Sequence, residues 1–381
     1  MPSTSNTDAA GRLGEVARLF LRLGVLGFGG PAAHIAMMRD EVVRRRGWID
    51  DEEFLDLVGA TNLIPGPNST ELAIHLGHLR AGGRGLVVSG VCFIAPAVVI
   101  VSVLAWLYRE HGTDPAIVDL RYGVLPVIIA IVAHALVGLG RSALTSSINA
   151  VVAVAAMVCY LFGVHELLVL VAAGTLTALW AGRHRLRPSA AMGLIVPMLN
   201  GDATAPAAVS LRRLFLVFLE IGSVLYGSGY VLLAFLQRNL VDNNGWLTSQ
   251  QLLDAIAVGQ VTPGPVFTTA TFVGWQIDGP AGAAVATIGI FLPSFVFVAL
   301  LRRIVPWMRA RPIARAFLTG LTTASLGLMA GVLVDLTETA LTDVFTVTVA
   351  IAALGVLIRT KVNSAWLISV GVVIGAMHII V

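Results

Sequence analysis

The amino-acid sequence repeats itself across its two halves at a nearly constant spacing. Pro65-Gly66-Pro67 recurs 198 residues later as Pro263-Gly264-Pro265, and Gly47-Trp48 recurs at the same offset as Gly245-Trp246. The correspondence continues at an offset of 197, pairing Gly77 with Gly274, Gly82 with Gly279, Gly85 with Gly282 and Pro96 with Pro293. Register kept over about seventy residues indicates duplication. Each half is therefore expected to adopt the same local fold, with a helix break at its Pro-Gly-Pro.

The composition places both halves in a lipid bilayer. Hydrophobic residues make up 57% of the chain and charged residues only 12%, whereas about a quarter of the residues of soluble domains are charged. Runs such as 86–107, 124–139 and 345–357 are nearly free of charge and approach the roughly 20 residues that cross a bilayer. Because a spanning segment must satisfy its own backbone hydrogen bonds, these runs predict helices. The expected fold class is an all-α, polytopic membrane protein.

The apolar segments of the two halves correspond one to one. In the first half they run over 14–38, 51–64, 67–79, 85–108, 122–140, 147–163 and 165–182. The first of these is either one continuous span or a span broken at 27–31, where glycines precede Pro31. In the second half they run over 212–239, 250–262, 265–277, 280–301, 313–334, 341–358 and 363–380. We therefore expect an N-terminal tail at 1–13, transmembrane repeats at 14–182 and 212–381, and a cytoplasmic linker at 183–211, which is rich in helix breakers.

The two segments that flank each Pro-Gly-Pro are too short to span separately, since about thirteen helical residues reach only about 20 Å. They form either a re-entrant hairpin or one broken crossing. Hairpins place nearly all loop arginines on one side, as the positive-inside rule requires, whereas broken crossings divide them between both sides. The hairpin alternative gives each repeat about five transmembrane helices plus one re-entrant hairpin. Because five is odd, the predicted repeats have inverted topology.

The two Pro-Gly-Pro breaks are the predicted substrate site. Proline favours the first position of a helix, so each break is followed by a helix N-terminus with free N–H groups and a partial positive charge, which suits an oxyanion. Two such ends meeting near the bilayer midplane would suit a dianion, although each motif could also be a simple turn. The predicted substrate-binding residues are Asn62, Pro65, Gly66, Pro67, Asn68, Ser69, Thr70, Gln260, Pro263, Gly264, Pro265, Thr268 and Thr269.

Ionisable residues inside spans are candidates for coupling, because each is expensive to insert. Glu71 lies one turn into the second arm of the first hairpin, where it is either a proton carrier or a first-turn acid that stabilises the helix. Glu220 corresponds to Arg22 at the 198 offset, which predicts an ion pair across the pseudo-two-fold axis, with a coupling or a structural role. A free histidine side chain titrates near neutral pH, so His75 is either a further coupling residue or a packed histidine.

These motifs resemble those of the chromate ion transporter family in its two-domain form. The resemblance covers both halves and rests on 28–31, 47–49, the run 64–71 around the first Pro-Gly-Pro and the run 259–265 around the second. It implies export of chromate from the bacterial cytoplasm, chromate resistance, and halves that arose by duplication in opposite orientation. In the family pattern a glutamine precedes Pro-Gly-Pro by three residues. Gln260 fits this pattern, whereas the first half has Asn62.

The expected function is secondary active export of chromate across the bacterial plasma membrane. A sulfate or other oxyanion importer or exchanger, and an anion channel, are the alternatives on the same fold. No glycine-rich nucleotide-binding loop occurs in the sequence, so the predicted driving force is the membrane potential, protons or an exchanged ion. We expect no catalytic residue, metal, cofactor or nucleic-acid partner. The expected partners are the chromate anion, with sulfate as a competitor, and the lipid bilayer, with homodimerisation left open.

Overall fold

The computed structural model describes residues 4–28, 30–112, 114–182, 210–226, 231–309, 311–360 and 362–380, and this part of the chain is helical without strands. The first half contains α1 (Thr4–Leu26), α2 (Gly30–Arg39), a π-helical turn (Asp40–Arg45), α3 (Asp51–Thr61), α4 (Asn68–His111), α5 (Pro115–Ala143), α6 (Ser147–Leu161) and α7 (Glu166–Gly182). The second half contains α8 (Leu211–Val224), α9 (Leu232–Leu236), a π-helical turn (Gln237–Asp242), α10 (Ser249–Val261), α11 (Thr269–Arg309), α12 (Pro312–Ala340), α13 (Val344–Arg359) and α14 (Ser364–Ile380).

Among the described residues, four stretches are long and apolar enough to cross a membrane, namely Asn68–His111, Asp119–Arg141, Val266–Leu301 and Pro312–Ala340. Shorter apolar helices lie in both halves at Ser147–Leu161, Glu166–Ala181, Val344–Arg359 and Ser364–Met377. The prediction of an all-α, polytopic membrane protein is confirmed. Residues 183–209 of the predicted linker and the first three residues of the predicted tail lie outside the described residues.

The structure divides the first segment, 14–38, into α1 and α2, so one continuous helix is wrong and the alternative of a break at 27–31 is confirmed. Pro31 has no N–H group to donate to the carbonyl four residues earlier, which belongs to Gly27. Gly30 adopts φ +76°, a conformation that glycine tolerates. The chain then returns, because Arg46, just after the π-helical turn, donates a hydrogen bond of 3.0 Å to Glu15 near the start of α1. The segment 14–46 therefore forms a helical hairpin, in addition to the one predicted around Pro65-Gly66-Pro67.

The helix α4 consists of two arms, 68–80 and 83–111, that reverse at Ala81 and Gly82. Gly82 has φ +63°, outside the helical region. A Cβ atom on Gly85 would lie 2.1 Å from the carbonyl oxygen of Gly77, although a straight helix would separate residues eight apart by about 12 Å. The chain therefore folds back on itself, as the separate segments 67–79 and 85–108 predicted.

The helix α11 reverses in the same way, between arms 269–277 and 280–309. Gly279 has φ +55°. A Cβ atom on Gly282 would lie 2.1 Å from the carbonyl oxygen of Gly274. The corresponding first-half glycines make the same approach, so the duplication preserves backbone contacts as well as residue types.

The first reversal lies beside the start of α3. Glu15 accepts hydrogen bonds from Arg80 at 2.8 Å and from the Trp48 indole at 3.2 Å. The guanidinium of Arg80 lies 5.2 Å from the Trp48 ring centroid. Trp48 precedes α3 and Arg80 ends the returning arm, so the start of α3 lies beside the end of arm 68–80. This is the geometry of the predicted hairpin rather than of a broken crossing.

The second reversal lies at the opposite end of arm 83–111. Gln276, just before that reversal, donates to the carbonyl oxygen of Ala105 at 2.9 Å. Asp254, in the first turns of α10, accepts a hydrogen bond of 2.6 Å from the Tyr108 hydroxyl. Arm 83–111 therefore begins at one reversal and ends at the other. The hairpin formed by α3 and arm 68–80 and the hairpin formed by α10 and arm 269–277 start at opposite ends of this arm and point towards each other.

The remaining helices pack across the two halves through small residues. Helix α5 lies against α13 and α14, and α12 lies against α6 and α7. A Cβ atom on Gly123 would lie 2.1 Å from the carbonyl oxygen of Gly371, and one on Gly327 would lie 2.1 Å from that of Ala153. Such close backbone approach is how membrane helices gain packing energy when lipid supplies no hydrophobic drive.

We propose that the two reversals face opposite sides of the membrane, as inverted repeats require. Gly83 and Asp278 are exposed beside the first and second reversal, respectively. In a background with Cys92→Ala and Cys159→Ala, the variants Gly83→Cys and Asp278→Cys should each react with a membrane-impermeant thiol reagent from one side only, and from opposite sides. Labelling of both cysteines from the same side of oriented vesicles would contradict inversion.

Candidate functional site

Each Pro-Gly-Pro break is hydrogen-bonded to the other half of the molecule. The N–H of Gly66 donates to the carbonyl oxygen of Leu225 at 2.8 Å, and the N–H of Gly264 donates to that of Gly27 at 2.8 Å. Both donors and both acceptors are separated by the repeat offset of 198 residues. Leu225 follows α8 as Gly27 follows α1. The interrupted first helix of each half therefore completes the break of the other half, a contact that we name the reciprocal bond pair.

Each break also packs against the middle of the other half's long arm. A Cβ atom on Gly66 would lie 2.7 Å from the Ser294 hydroxyl, and one on Gly264 would lie 2.8 Å from the Ala97 methyl. Ser294 and Ala97 correspond at the offset of 197. Gly66 has φ +133° and Gly264 has φ +95°, so glycine is required at both positions for conformation and for space.

The first break encloses polar atoms that lack partners. Thr70, Glu71 and Ser294 are completely buried. Among the described residues, the hydroxyls of Thr70 and Ser294 and both carboxyl oxygens of Glu71 have no hydrogen-bond partner of good geometry. Ser294 and Glu71 are nonetheless neighbours, since both lie against Gly66. Unsatisfied buried polar groups are rare and costly, which marks this break as a site for a ligand or a proton.

A buried histidine links the first break to the reciprocal bond pair. His34 Nε2 lies 2.9 Å from the carbonyl oxygen of Gly27, and its Nδ1 lies 3.3 Å from the Ser69 hydroxyl. The carbonyl can only accept, so the geometry assigns the proton to Nε2 and makes Nδ1 the acceptor from Ser69. The ring also meets Phe93 edge-on at 5.4 Å. Ser69, a predicted substrate residue, is thus held in place by the structure around it.

At the second break the threonine hydroxyls already have hydrogen-bond partners. The Thr268 hydroxyl donates to the carbonyl oxygen of Pro265 at 2.8 Å, and the Thr269 hydroxyl donates to that of Val266 at 2.8 Å. Where the first half has Asn68 and Ser69 after its motif, the second half has Val266 and Phe267. Gln260 is partly buried near the end of α10. The two breaks share a backbone, but the orphaned polar groups are concentrated in the first.

A cavity of about 380 Å³ lies between the end of α3 and the helices α5 and α12. Asn62 and Leu63, which precede the first break in the chain, line one side of it, and Asn68 donates a hydrogen bond to the side-chain oxygen of the exposed Asn62. The α12 residues that line it are Arg315, Leu318, Thr319, Thr322 and Thr323, and the α5 side contributes Ala143 and Thr145. Arg315 is exposed, so it places a positive charge at the rim of this cavity.

Sequence reasoning missed Arg315, the α12 threonines and Ser294. The spacing of Arg315, Thr319, Thr322 and Thr323 at three and four residues is that of one helix face, and this polar stripe in an apolar helix was the available signal. Ser294 had no such signal, because its site forms only when the other half packs against it.

The predicted ion pair between Arg22 and Glu220 is absent. Arg22 lies 3.6 Å from Glu41 in its own half. Glu220 lies near His165, in the connection between α6 and α7. The equivalence of Arg22 and Glu220 in the repeat did not bring them together, because α1 and the π-helical turn after α2 form one hairpin and place an acidic partner closer.

Comparisons with known proteins identify relatives of the whole chain. A family model described as chromate transporter matches residues 14–178 and 212–376. A probable chromate transport protein of Synechococcus elongatus is 31% identical over 351 residues, which cover 90% of this chain and 89% of that protein. A chromate transport protein of Cupriavidus metallidurans is 29% identical over 392 residues, covering 97% and 96% of the two chains. A chromate transport protein of Pseudomonas aeruginosa is 31% identical, covering 84% and 80%. No solved structure matches the chain.

The packing of Gly264 against Ala97 can be tested by a double-mutant cycle. Gly264→Ala should lower stability, since its positive φ adds about 1–3 kcal/mol of backbone strain and its methyl adds about 1–3 kcal/mol of overpacking. Adding Ala97→Gly should recover part of the loss beyond the sum of the single variants. Thermal unfolding of the purified protein in detergent measures this, with Ala97→Gly alone as the control. Strictly additive effects would contradict the contact.

Proposed function

The chain belongs to the chromate transporter family, and on that premise we propose that it is a secondary active transporter that exports chromate through the break at Pro65-Gly66-Pro67. The observation that carries this proposal is the group of unpartnered buried polar atoms of Thr70, Glu71 and Ser294 at that break. A bound ligand that accepts hydrogen bonds would satisfy both hydroxyls.

The proposed site suits a doubly charged tetrahedral anion. The N–H groups of Asn68 and Ser69 precede the first hydrogen bond of the arm, which Thr70 donates to the Pro67 carbonyl, and such helix N-termini bind oxyanions. The hydroxyls of Thr70 and Ser294 supply two further donors. These donors are neutral, so the anion would be bound by oriented dipoles and could leave again without breaking an ion pair.

Glu71 gives the site a means of coupling. An ionised carboxylate beside the anion would repel it, whereas a protonated carboxyl group could donate a hydrogen bond to it. Binding of chromate and binding of a proton at Glu71 would therefore favour each other. The competing interpretation of Glu71 as a first-turn helix acid is weakened by its complete burial without a partner.

Transport direction and resistance are tested with everted membrane vesicles. We expect energised vesicles containing the protein to accumulate labelled chromate, and cells expressing it to tolerate more chromate than cells with the empty vector. Uptake of labelled sulfate is the parallel measurement, because sulfate has the same charge and shape class. Accumulation of sulfate in preference to chromate would identify sulfate as the substrate. Absence of energy-dependent chromate accumulation would contradict the export proposal.

The role of the two orphaned hydroxyls can be measured directly. Thr70→Val and Ser294→Ala should each weaken chromate binding by about ten- to a hundredfold, because each removes a hydrogen bond to a charged group worth about 1.5–3 kcal/mol. Thr268→Val is the matched control, since that hydroxyl is already satisfied by Pro265. Calorimetric titration of purified protein with chromate provides the affinities. Equal effects of Thr70→Val and Thr268→Val would contradict a site confined to the first break.

The cavity beside α12 predicts an electrostatic effect on uptake. Arg315→Gln should raise the KM for chromate about fivefold at low ionic strength, and the effect should shrink in about 0.5 M salt as the charge is screened. Arg359→Gln removes another exposed arginine that does not line the cavity, and it should leave the KM unchanged. A KM increase in both variants would indicate a general surface-charge effect rather than a defined entrance.

A further inference from the structure

Three titratable side chains follow one another on a single face of arm 68–80. Glu71, His75 and His78 are spaced by four and three residues, which places them one above the other along a helix. The imidazole Nδ1 atoms of His75 and His78 are buried and have no hydrogen-bond partner among the described residues. Only 5% of the His75 surface is exposed. A row of unpartnered titratable groups has the components of a proton pathway.

The outer end of this row opens into a second cavity. This cavity, of about 690 Å³, is lined by both histidines, by Arg12 and by residues 79–82 at the first reversal. The inner end is Glu71, whose carboxyl oxygen lies against Gly66. The row therefore connects an opening at the first reversal with the break at which the anion is proposed to bind, and this opening has a different lining from the cavity beside Arg315.

The corresponding arm of the second half carries no such row. Residues 266–277 contain no histidine, aspartate or glutamate. At the second reversal the Gln276 side chain instead bonds to the first half, through the carbonyl oxygen of Ala105. The titratable row is thus a property of the first half, and it ends at the break that Thr70 and Ser294 enclose.

We propose that His78 and His75 relay protons between the cavity at the first reversal and Glu71, and that this relay couples proton movement to anion transport. The proposal rests on the proposed function. Each imidazole accepts a proton on one ring nitrogen and releases one from the other, so it returns to neutrality after a tautomer change. The proton ends on the Glu71 carboxylate, which becomes a neutral carboxyl group as the dianion binds beside it.

Described residues face both ends of the relay. At its inner end Glu71 faces Ser294 and Tyr226, whose hydroxyl donates to the Leu63 carbonyl at 3.0 Å. At its outer end Arg12 and Arg80 are the charged residues that line the cavity among those the structure describes, with Arg80 held by Glu15. His34 lies beside the arm but is occupied by Gly27 and Ser69, so it is not part of the relay.

The test separates anion movement from proton movement in proteoliposomes loaded with a pH-sensitive dye. Chromate counterflow, the exchange of labelled for unlabelled anion, needs no net proton transfer, whereas chromate flux down its gradient should move protons. His75→Gln and His78→Gln should keep counterflow within about twofold of wild type and reduce chromate-driven proton flux on the order of a hundredfold. Retained counterflow also demonstrates that each variant is folded.

His134→Gln is the matched control, because His134 also has an unpartnered buried Nδ1 but lies on α5, outside both cavities. It should retain both activities. Proton flux that persists in either relay variant, counterflow lost together with proton flux, or equal loss in His134→Gln would overturn the relay. A wild-type protein that carries chromate down its gradient without moving protons would overturn it too, whereas one that neither exchanges nor carries chromate would overturn the proposed function instead.

Discussion

The reciprocal bond pair is the interaction on which the rest of this structure depends. A helix can stop at mid-depth in a membrane only if the backbone groups it frees find other partners. Here Pro31 cannot donate to the Gly27 carbonyl, and Gly264 donates to it instead; Leu225 receives Gly66 in the same way. The interrupted first helix of each half thus accepts the hydrogen bond that the Pro-Gly-Pro break of the other half must donate. The irregular backbone that the site needs is stable because two irregularities are joined.

The two halves share the backbone of their breaks, whereas the polar side chains that follow the breaks differ. The glycines at the breaks and at the reversals make equivalent contacts in both halves. The side chains after the breaks do not, since Thr268 and Thr269 bond within their own turn whereas Thr70 and Glu71 have no partner. The repeat suggested a symmetric site with two equal helix ends, whereas the unpartnered polar atoms support our proposal of one polar break that binds the anion and one break that is structural. The second break keeps its shape because the first depends on it.

Local chemistry made much of this predictable from the sequence. Composition predicted the membrane, the repeat predicted equal halves, and the short arms with their arginines predicted hairpins. The break after Leu26 was left open, because apolar residues on both sides resemble one long helix whereas the glycines before Pro31 suggest an interruption. Ser294 could not be assigned to the site, since it reaches the break from far along the chain. The expected pair of Arg22 and Glu220 failed for the related reason that symmetry in sequence does not imply contact in space.

The reciprocal bond pair also has a consequence for how such a protein is made. During synthesis the N–H of Gly66 enters the membrane long before the carbonyl of Leu225 exists, so the first half must wait in an incomplete state until the second half is inserted. Either half alone would expose an unsatisfied break to lipid. A gene encoding only one half would therefore have to be expressed with another, or its product would have to pair with its own copy, before a stable protein could form.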